Sequence, residues 1–156
     1  MGKEIERKFL VTGDAWKSFP PGTRYRQGYL SSQPERSVRV RSDGRGGKLT
    51  IKGITRGASR DEFEYEIPLQ DAEYLLDQLC ERPLIEKVRH KVTVGGRTWE
   101  VDVFEGDNAG LVVAEIELED EGQKFELPTW VSREVTDDAR YFNANLVRNP
   151  YRTWVR

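Results

Sequence analysis

The chain has 156 residues, 37% hydrophobic, 33% charged and 10% aromatic, with a net charge of -2; this suits a single domain, 1–156, with a packed core and excludes a disordered tail. Such a balanced charge disfavours general nucleic-acid binding by counterion release, which calls for a basic chain. Its one cysteine, Cys80, excludes an internal disulfide and suits a reducing cytoplasm, and no long apolar run or leader pattern suggests a membrane or secreted protein.

In chain order, the first predicted strand is EIERKFLV (4–11), followed by YRQGYLS (25–31), SVRVR (37–41) and KLTIK (48–52). SDGRGG between the last two carries Asp-Gly and Gly-Gly, a hairpin signal. GRGGK (44–48) lacks the GxxxxGK[ST] spacing and reads as that turn, not as a phosphate loop. After the strand EFEYEIPL (62–69), Leu75, Leu76, Leu79 and Cys80 recur at helical spacing, predicting a helix over 71–82 that Pro83 stops. Cys80 in that stripe is expected to be a small buried thiol. IEKVRHKVTV (85–94), TWEVDVF (98–104) and LVVAEIELE (111–119) bring the count to eight strands, mostly joined as sequence neighbours, which favours an antiparallel sheet. A second helix is expected over 136–149, capped by Thr136 or Asp137 and ended before Pro150. Shorter helical turns are expected at 14–18 and 119–126, and NPYRTWVR reads either as a loose tail or as a lid.

Side chains alternate along a strand, so each segment can be sorted by parity. Glu4, Glu6 and Lys8 share one face. Arg39 and Arg41 stand opposite Val38 and Val40, and Lys48, Thr50 and Lys52 opposite Leu49 and Ile51. Glu62, Glu64 and Glu66 oppose Phe63, Tyr65 and Ile67; Lys87, Arg89 and Lys91 oppose Val88 and Val92. Glu100 with Asp102, and Glu115 with Glu117 and Glu119, complete the set. A half-wet sheet is the ordinary reading of any one such strand. These faces, however, are nearly pure in charge, and the sign is segregated by strand. A closed barrel with the charged face inward accounts for both features, with the helices and the Trp-rich ends covering its apolar outside. Trp16, Trp99, Trp130 and Trp154 are then outer packing, and His90 is a packing or surface residue.

A lumen of about eight strands holds one small ligand. Arg and Lys suit phosphate oxygens, and carboxylates suit Mg²⁺ or Mn²⁺, which share oxygen ligands with phosphates. Opposed walls of the two kinds therefore describe a site for a metal-bound polyphosphate.

The same residues resemble a known family. EIERKFLV carries the ExExK signature of the CYTH superfamily, the triphosphate tunnel metalloenzymes; RVR (39–41), TIK (50–52), EYE (64–66), EKVR (86–89), EVD (100–102), EIE (115–117) and REVTDDARYFNANL (133–146) continue the resemblance over nearly the whole chain. It implies a mainly β fold with flanking helices, a closed eight-stranded antiparallel barrel whose charged lumen forms a tunnel. It also implies Glu4, Glu6, Glu115 and Glu117 as metal ligands, with Glu64 and Asp102 supporting the metals or a second metal site. Lys8, Arg39, Arg41, Lys52, Lys87 and Arg89 would form the triphosphate cradle, with Arg133 reaching in from before the last helix. The catalytic set is Glu4, Glu6, Lys8 and Tyr29; RQGYL puts Tyr29 where some members have a tunnel tyrosine, and a Lys8–Tyr29 pair is expected to orient or deprotonate water. The resemblance is strongest to small bacterial inorganic triphosphatases, which implies Mg²⁺- or Mn²⁺-dependent cleavage of tripolyphosphate to diphosphate and phosphate. A thiamine triphosphatase and a class IV adenylate cyclase need the same tunnel, and a non-catalytic polyphosphate or nucleotide sensor is the reading of a different class. The expected partner is a triphosphate-bearing small molecule, with neither nucleic acid nor membrane, for a cytoplasmic monomer or homodimer.

Overall fold

The computed structural model describes residues 2–154. Each alternating run forms a strand, most of them longer than the run itself because hairpin pairing carries into the flanking residues: β1 (Gly2–Val11), β2 (Thr23–Gln33), β3 (Arg36–Ser42), β4 (Gly47–Gly53), β5 (Ser59–Ile67), β6 (Ile85–Val94), β7 (Arg97–Phe104) and β8 (Val112–Glu117). Their order is β5-β4-β3-β2-β6-β7-β8-β1, and β1 pairs back with β5. All pairings are antiparallel, so the eight strands close into a barrel. The closing seam is short: Gly2↔Glu62, Lys3↔Asp61, Glu4↔Arg60 and Ile5↔Ser59. The β3–β4 hairpin turns where expected, with Asp43 Oδ1 accepting from the backbone N–H of Arg45 (2.8 Å) and Gly46 (2.9 Å), and with Gly44 at φ 86°, a conformation that favours glycine.

A ninth strand, β9 (Val131–Glu134), was not legible in the sequence because four residues are too few to show a period. It pairs with the C-terminal half of β1, Phe9↔Glu134 and Val11↔Val131, on the edge whose N-terminal half pairs with β5. Between the two, Lys8 bridges the gap by donating its backbone N–H to Thr136 Oγ1 at 3.0 Å and accepting from Val135 N at 2.8 Å.

Three apolar clusters coat the outside. Helix α1 (Leu69–Gln78) lies over β3 and β4 and buries Ala72 and Leu76 against Val40 and Cys80. It sits so close that a Cβ on Gly47 would come within 2.4 Å of the Ala72 Cβ. It is shorter than the expected 71–82 at its end: Leu79 caps it and the Cys80 N–H turns back to the Leu75 carbonyl (2.9 Å). Burial pushes the Cys80 thiol up to about 11, as befits a packing residue. A second cluster joins Phe9, Trp99 and Phe125, with ring centroids 5.6 to 6.2 Å apart, and Trp130 stands 5.7 Å from Trp99. His90 sits at its margin, with Nδ1 2.7 Å from the Pro20 carbonyl.

Two expected helices are corrected. Residues 119–126 make only a turn at Asp120–Gln123, and Phe125 packs into the Trp99 cluster. Over 136–149 the continuous helix is replaced by a 3₁₀ turn (Ala139–Tyr141) and a short α2 (Asn143–Arg148). Asp138, not Thr136 or Asp137, opens the turn by accepting from Arg140 N at 3.1 Å, and Phe142 is extended (φ −69°, ψ 132°) between the two pieces. That break aims Phe142 and Asn143 at the lumen. The expected turn at 14–18 is a 3₁₀ helix, Ala15–Ser18. The closing segment is packed down rather than loose: Trp154 stacks edge-on with Tyr141 and Tyr151, each at 5.1 Å. The final two residues lie outside the described part. No described helix is long and apolar enough to cross a membrane.

Trp99 is fully buried at the centre of the second cluster. Trp99→Ala is expected to lower stability by about 3–5 kcal/mol in urea unfolding; a loss below about 1 kcal/mol would show that this cluster does not hold the outer wall.

Candidate active site

A cavity of about 710 Å³ runs inside the barrel. The strand order sorts its wall into two halves. Going round the ring, β7, β8, β1 and β5 are neighbours and present Glu100, Glu115, Glu117, Glu4, Glu6, Glu62, Glu64 and Glu66. The other half, β4, β3, β2 and β6, presents Lys48, Lys52, Arg39, Arg41, Lys87, Arg89 and Lys91. Segregation by strand thus becomes segregation by side of one enclosed lumen.

On the basic half, Arg39 NH2 lies 3.3 Å from Thr50 Oγ1 and 3.8 Å from Glu64, while its Nε is buried and has no hydrogen-bond partner. Arg41 and Arg89 stand over the ring of Tyr25, at 4.5 and 5.5 Å. Lys87 Nζ donates to Asp102 Oδ2 (2.8 Å) and Asn143 Oδ1 (3.0 Å). Burial, with Arg89 nearby, lowers the Lys87 ammonium to about 7 against the opposing pull of Asp102. Arg89 is raised instead: burial works against its charge, but Asp102 grips it with bonds of 2.8 and 2.9 Å.

On the acidic half, burial by itself would raise Glu4, yet Lys52 and Arg60 outweigh it and hold the carboxyl at about 2. Lys52 Nζ is 2.9 and 3.0 Å from its two oxygens, and Arg60 Nε is 3.2 Å from one of them. Glu6 behaves oppositely: burial and then the charges of Glu115 and Glu4 push it well above the carboxylate range. Glu115 is pulled well below it by Lys8, by a hydrogen bond from Glu6 and by Arg89, against its burial. The two carboxyls titrate as a pair, with Glu6 pushed up and Glu115 pulled down. Glu117 is raised by burial and by Glu4.

Of the sequence-predicted residues, Glu4, Glu6, Lys8, Tyr29, Arg39, Arg41, Lys52, Glu64, Lys87, Arg89, Glu115 and Glu117 all line this cavity. Two do not. Asp102 is 1% exposed behind the wall, both oxygens taken by Lys87 and Arg89, so it positions cations instead of meeting a metal. Arg133, on β9 outside the ring, donates to the Tyr141 hydroxyl at 3.2 Å and does not reach the lumen. Lys8 and Tyr29 both line the cavity, and Lys8 Nζ donates to the Tyr141 carbonyl at 3.3 Å. Burial raises the Tyr29 phenol, against the pull of Arg39, Arg60 and Lys8.

Among the lining residues that sequence reading missed, four bear on the chemistry. Arg60 shares the parity of Glu62, Glu64 and Glu66, and starting that strand at Ser59 would have found it. Tyr25 begins the expected second strand and shares the parity of Tyr29. Phe142 and Asn143 carry no local signal, because a break in a helix brings them in. Behind Asn143, the fully buried Gln27 donates to its Oδ1 at 2.7 Å.

The all-oxygen acidic set suits Mg²⁺ or Mn²⁺ in donor chemistry, and Glu6, pushed up by burial and by the charges of Glu115 and Glu4, marks a crowding of carboxylates that a divalent ion would relieve. Among the described residues no three of these carboxylates stand together at ligand spacing. Glu4 is itself engaged by cations, with Lys52 on both of its oxygens and Arg60 on one.

Comparison with known proteins places this geometry in company. A family model described as CYTH domain matches residues 2–151. The chain is 56% identical over 154 residues to a protein of Acetivibrio thermocellus named inorganic triphosphatase, covering 99% of each. It is 37% identical over 151 residues to another of that name from Nitrosomonas europaea, covering 92% of this chain and 95% of the relative. Among solved structures, the crystal structure of an inorganic triphosphatase superposes with a TM-score of 0.64 at 35% identity, covering 94% of this chain and 95% of that one.

Asp102 sits at about 2 in the folded chain against an ordinary 3.8. A depressed carboxylate stabilises fully above its ordinary value and loses that contribution as pH falls through the folded one. Asp102→Asn also leaves Lys87 and Arg89 buried without their counter-charge. The variant is expected to be less stable by about 3–5 kcal/mol at pH 7 in denaturant unfolding, with the gap narrowing from about pH 4 to pH 2; a gap that stays constant over that range would refute the assignment.

Proposed function

The chain belongs to the CYTH domain family, and on that footing we propose that it is a metal-dependent triphosphatase cleaving inorganic triphosphate to diphosphate and phosphate within its barrel. The observation that carries this reading is the division of one enclosed lumen into a cationic and an acidic half. A polyanion with a metal needs both kinds of wall, whereas a simple anion receptor gains nothing from carboxylates beside phosphate. The relatives named inorganic triphosphatase support the choice of substrate.

In this reading Arg39, Arg41, Lys52, Lys87 and Arg89 bind the phosphate oxygens and stabilise the leaving diphosphate. Glu4, Glu6, Glu115 and Glu117 would hold Mg²⁺ or Mn²⁺, which when bound neutralises phosphate charge and makes a coordinated water more acidic. Positioning and neutralisation are most of what phosphoryl transfer needs. Lys8, on the acidic half, faces the phosphate to be transferred, and Tyr29 donates a hydrogen bond to it or to the attacking water. Asp102 keeps Lys87 and Arg89 aimed inward. The substrate is a small molecule and the setting cytoplasmic.

A parallel assay of tripolyphosphate, thiamine triphosphate and ATP with Mg²⁺ or Mn²⁺ should give fastest phosphate release from tripolyphosphate, abolished by EDTA. Arg39→Ala and Glu115→Gln should each lower kcat/KM by about 10²-fold or more. Cyclic AMP as the main product would replace this reading with the cyclase, and background phosphate release with both metals would replace it with the sensor.

A further inference from the structure

Arg60 breaks the charge plan of the lumen. It is a guanidinium on β5, inside the acidic half, and directly faces Glu4 across the seam that closes the barrel. Its Nε is 3.2 Å from Glu4 Oε1, an oxygen that also accepts from Lys52 Nζ at 2.9 Å. Lys52 takes the second oxygen as well, at 3.0 Å. Glu4 therefore has two cations on its two oxygens, and a metal arriving there meets the positive charge of both. A guanidinium keeps its proton in proteins, so Arg60 can leave Glu4 only by moving. It has room to do so: its side chain is 21% exposed, it lines both the main cavity and a small pocket behind Glu4 and Glu6, and its Cζ hangs 5.9 Å from the Phe142 ring. Lys52 is tied more firmly, having Glu62 at 3.6 Å as well.

We infer that Arg60 is an exchangeable counter-ion: with Lys52 it neutralises Glu4 until a divalent metal takes that place, and the released guanidinium then turns to the triphosphate. This rests on the proposed metal-binding role of Glu4. Breaking the Arg60–Glu4 contact serves both ligands, so each ligand that breaks it spares the other that cost. Metal and triphosphate consequently bind with positive coupling, equal in both directions. The arrangement also makes Arg60 a positioning residue that discourages metal loading in the absence of substrate.

The test is binding, not turnover. Mn²⁺ affinity of the protein alone is measured from the free-ion signal in electron paramagnetic resonance, and tripolyphosphate affinity by calorimetry in EDTA, for wild type, Arg60→Met and Arg60→Lys, with melting curves to confirm folding. Removing the competing charge should tighten Mn²⁺ binding about tenfold in Arg60→Met, while tripolyphosphate binding weakens about tenfold; Arg60→Lys should lie between wild type and Arg60→Met in both. Unchanged or weaker Mn²⁺ binding in a folded Arg60→Met overturns the exchange, as does a folded Arg60→Lys that matches wild type in both measurements. Glu4→Gln separates the two levels. If it leaves Mn²⁺ affinity at the wild-type value, the metal role of Glu4 fails and the exchange falls with it; if it abolishes Mn²⁺ binding while Arg60→Met fails to tighten it, the exchange alone is wrong.

Discussion

Charges enclosed in a narrow lumen must be neutralised from across it or by what enters it, and most of this structure follows from that constraint. Buried ions cost several kcal/mol each to dehydrate, and here more than a dozen share one cavity of about 710 Å³. The barrel meets the cost by placing acidic strands together on one arc and basic strands on the other. Where the arcs touch, ion pairs form: Lys52 with Glu4 and Glu62 at the β4–β5 side, and Arg89 with Glu100, Asp102 and Glu115 at the β6–β7 side. The faces turned toward the middle stay incompletely matched. Arg39 with its unpartnered Nε, and Glu6 pushed up by burial and by its carboxylate neighbours, are the two signs of that mismatch.

This incompleteness is what a binding site requires. A lumen neutralised entirely within itself would have no reason to admit a polyanion and a cation together. Asp102 shows how the balance is kept: it lies behind the wall, fixes Lys87 and Arg89 with short bonds, and leaves their outer donors facing the cavity. Gln27 and Asn143 do similar work on the other side of Lys87. Asn143 comes from a segment that crosses to the barrel only after the last strand, which links the seating of the C-terminal part to the aim of a cradle lysine.

The outside of the barrel is built to free the inside from structural duty. Because α1, the Trp99 cluster and the Tyr141–Trp154 contacts bury much of the apolar outer face, stability does not need an apolar lumen. The polar interior can then be spent on ligands. This is the reverse of a barrel whose interior is filled by its own side chains.

The alternation along each strand made the eight strands and their charged faces legible from residues alone, since side-chain direction in a strand depends only on parity. Glu4 and Arg39 are among the residues that parity pointed inward and that line the cavity, whereas Tyr29 was suggested only by the family resemblance. Parity cannot say how far a side chain reaches or what stands in front of it, so Asp102 was put in the cavity although it lies behind Lys87 and Arg89. Arg133 erred for a related reason, since nothing local reveals that β9 joins β1 outside the ring. Arg60 hinged on where a strand begins, and Phe142 and Asn143 on a helix break dictated by packing against the wall. The sequence by itself determined which charges each strand carries, because that is covalent; only the tertiary structure decided which strands are neighbours, because strand order depends on long-range pairing such as β2 with β6 and β1 with β5, and that order turns a list of charges into two facing walls.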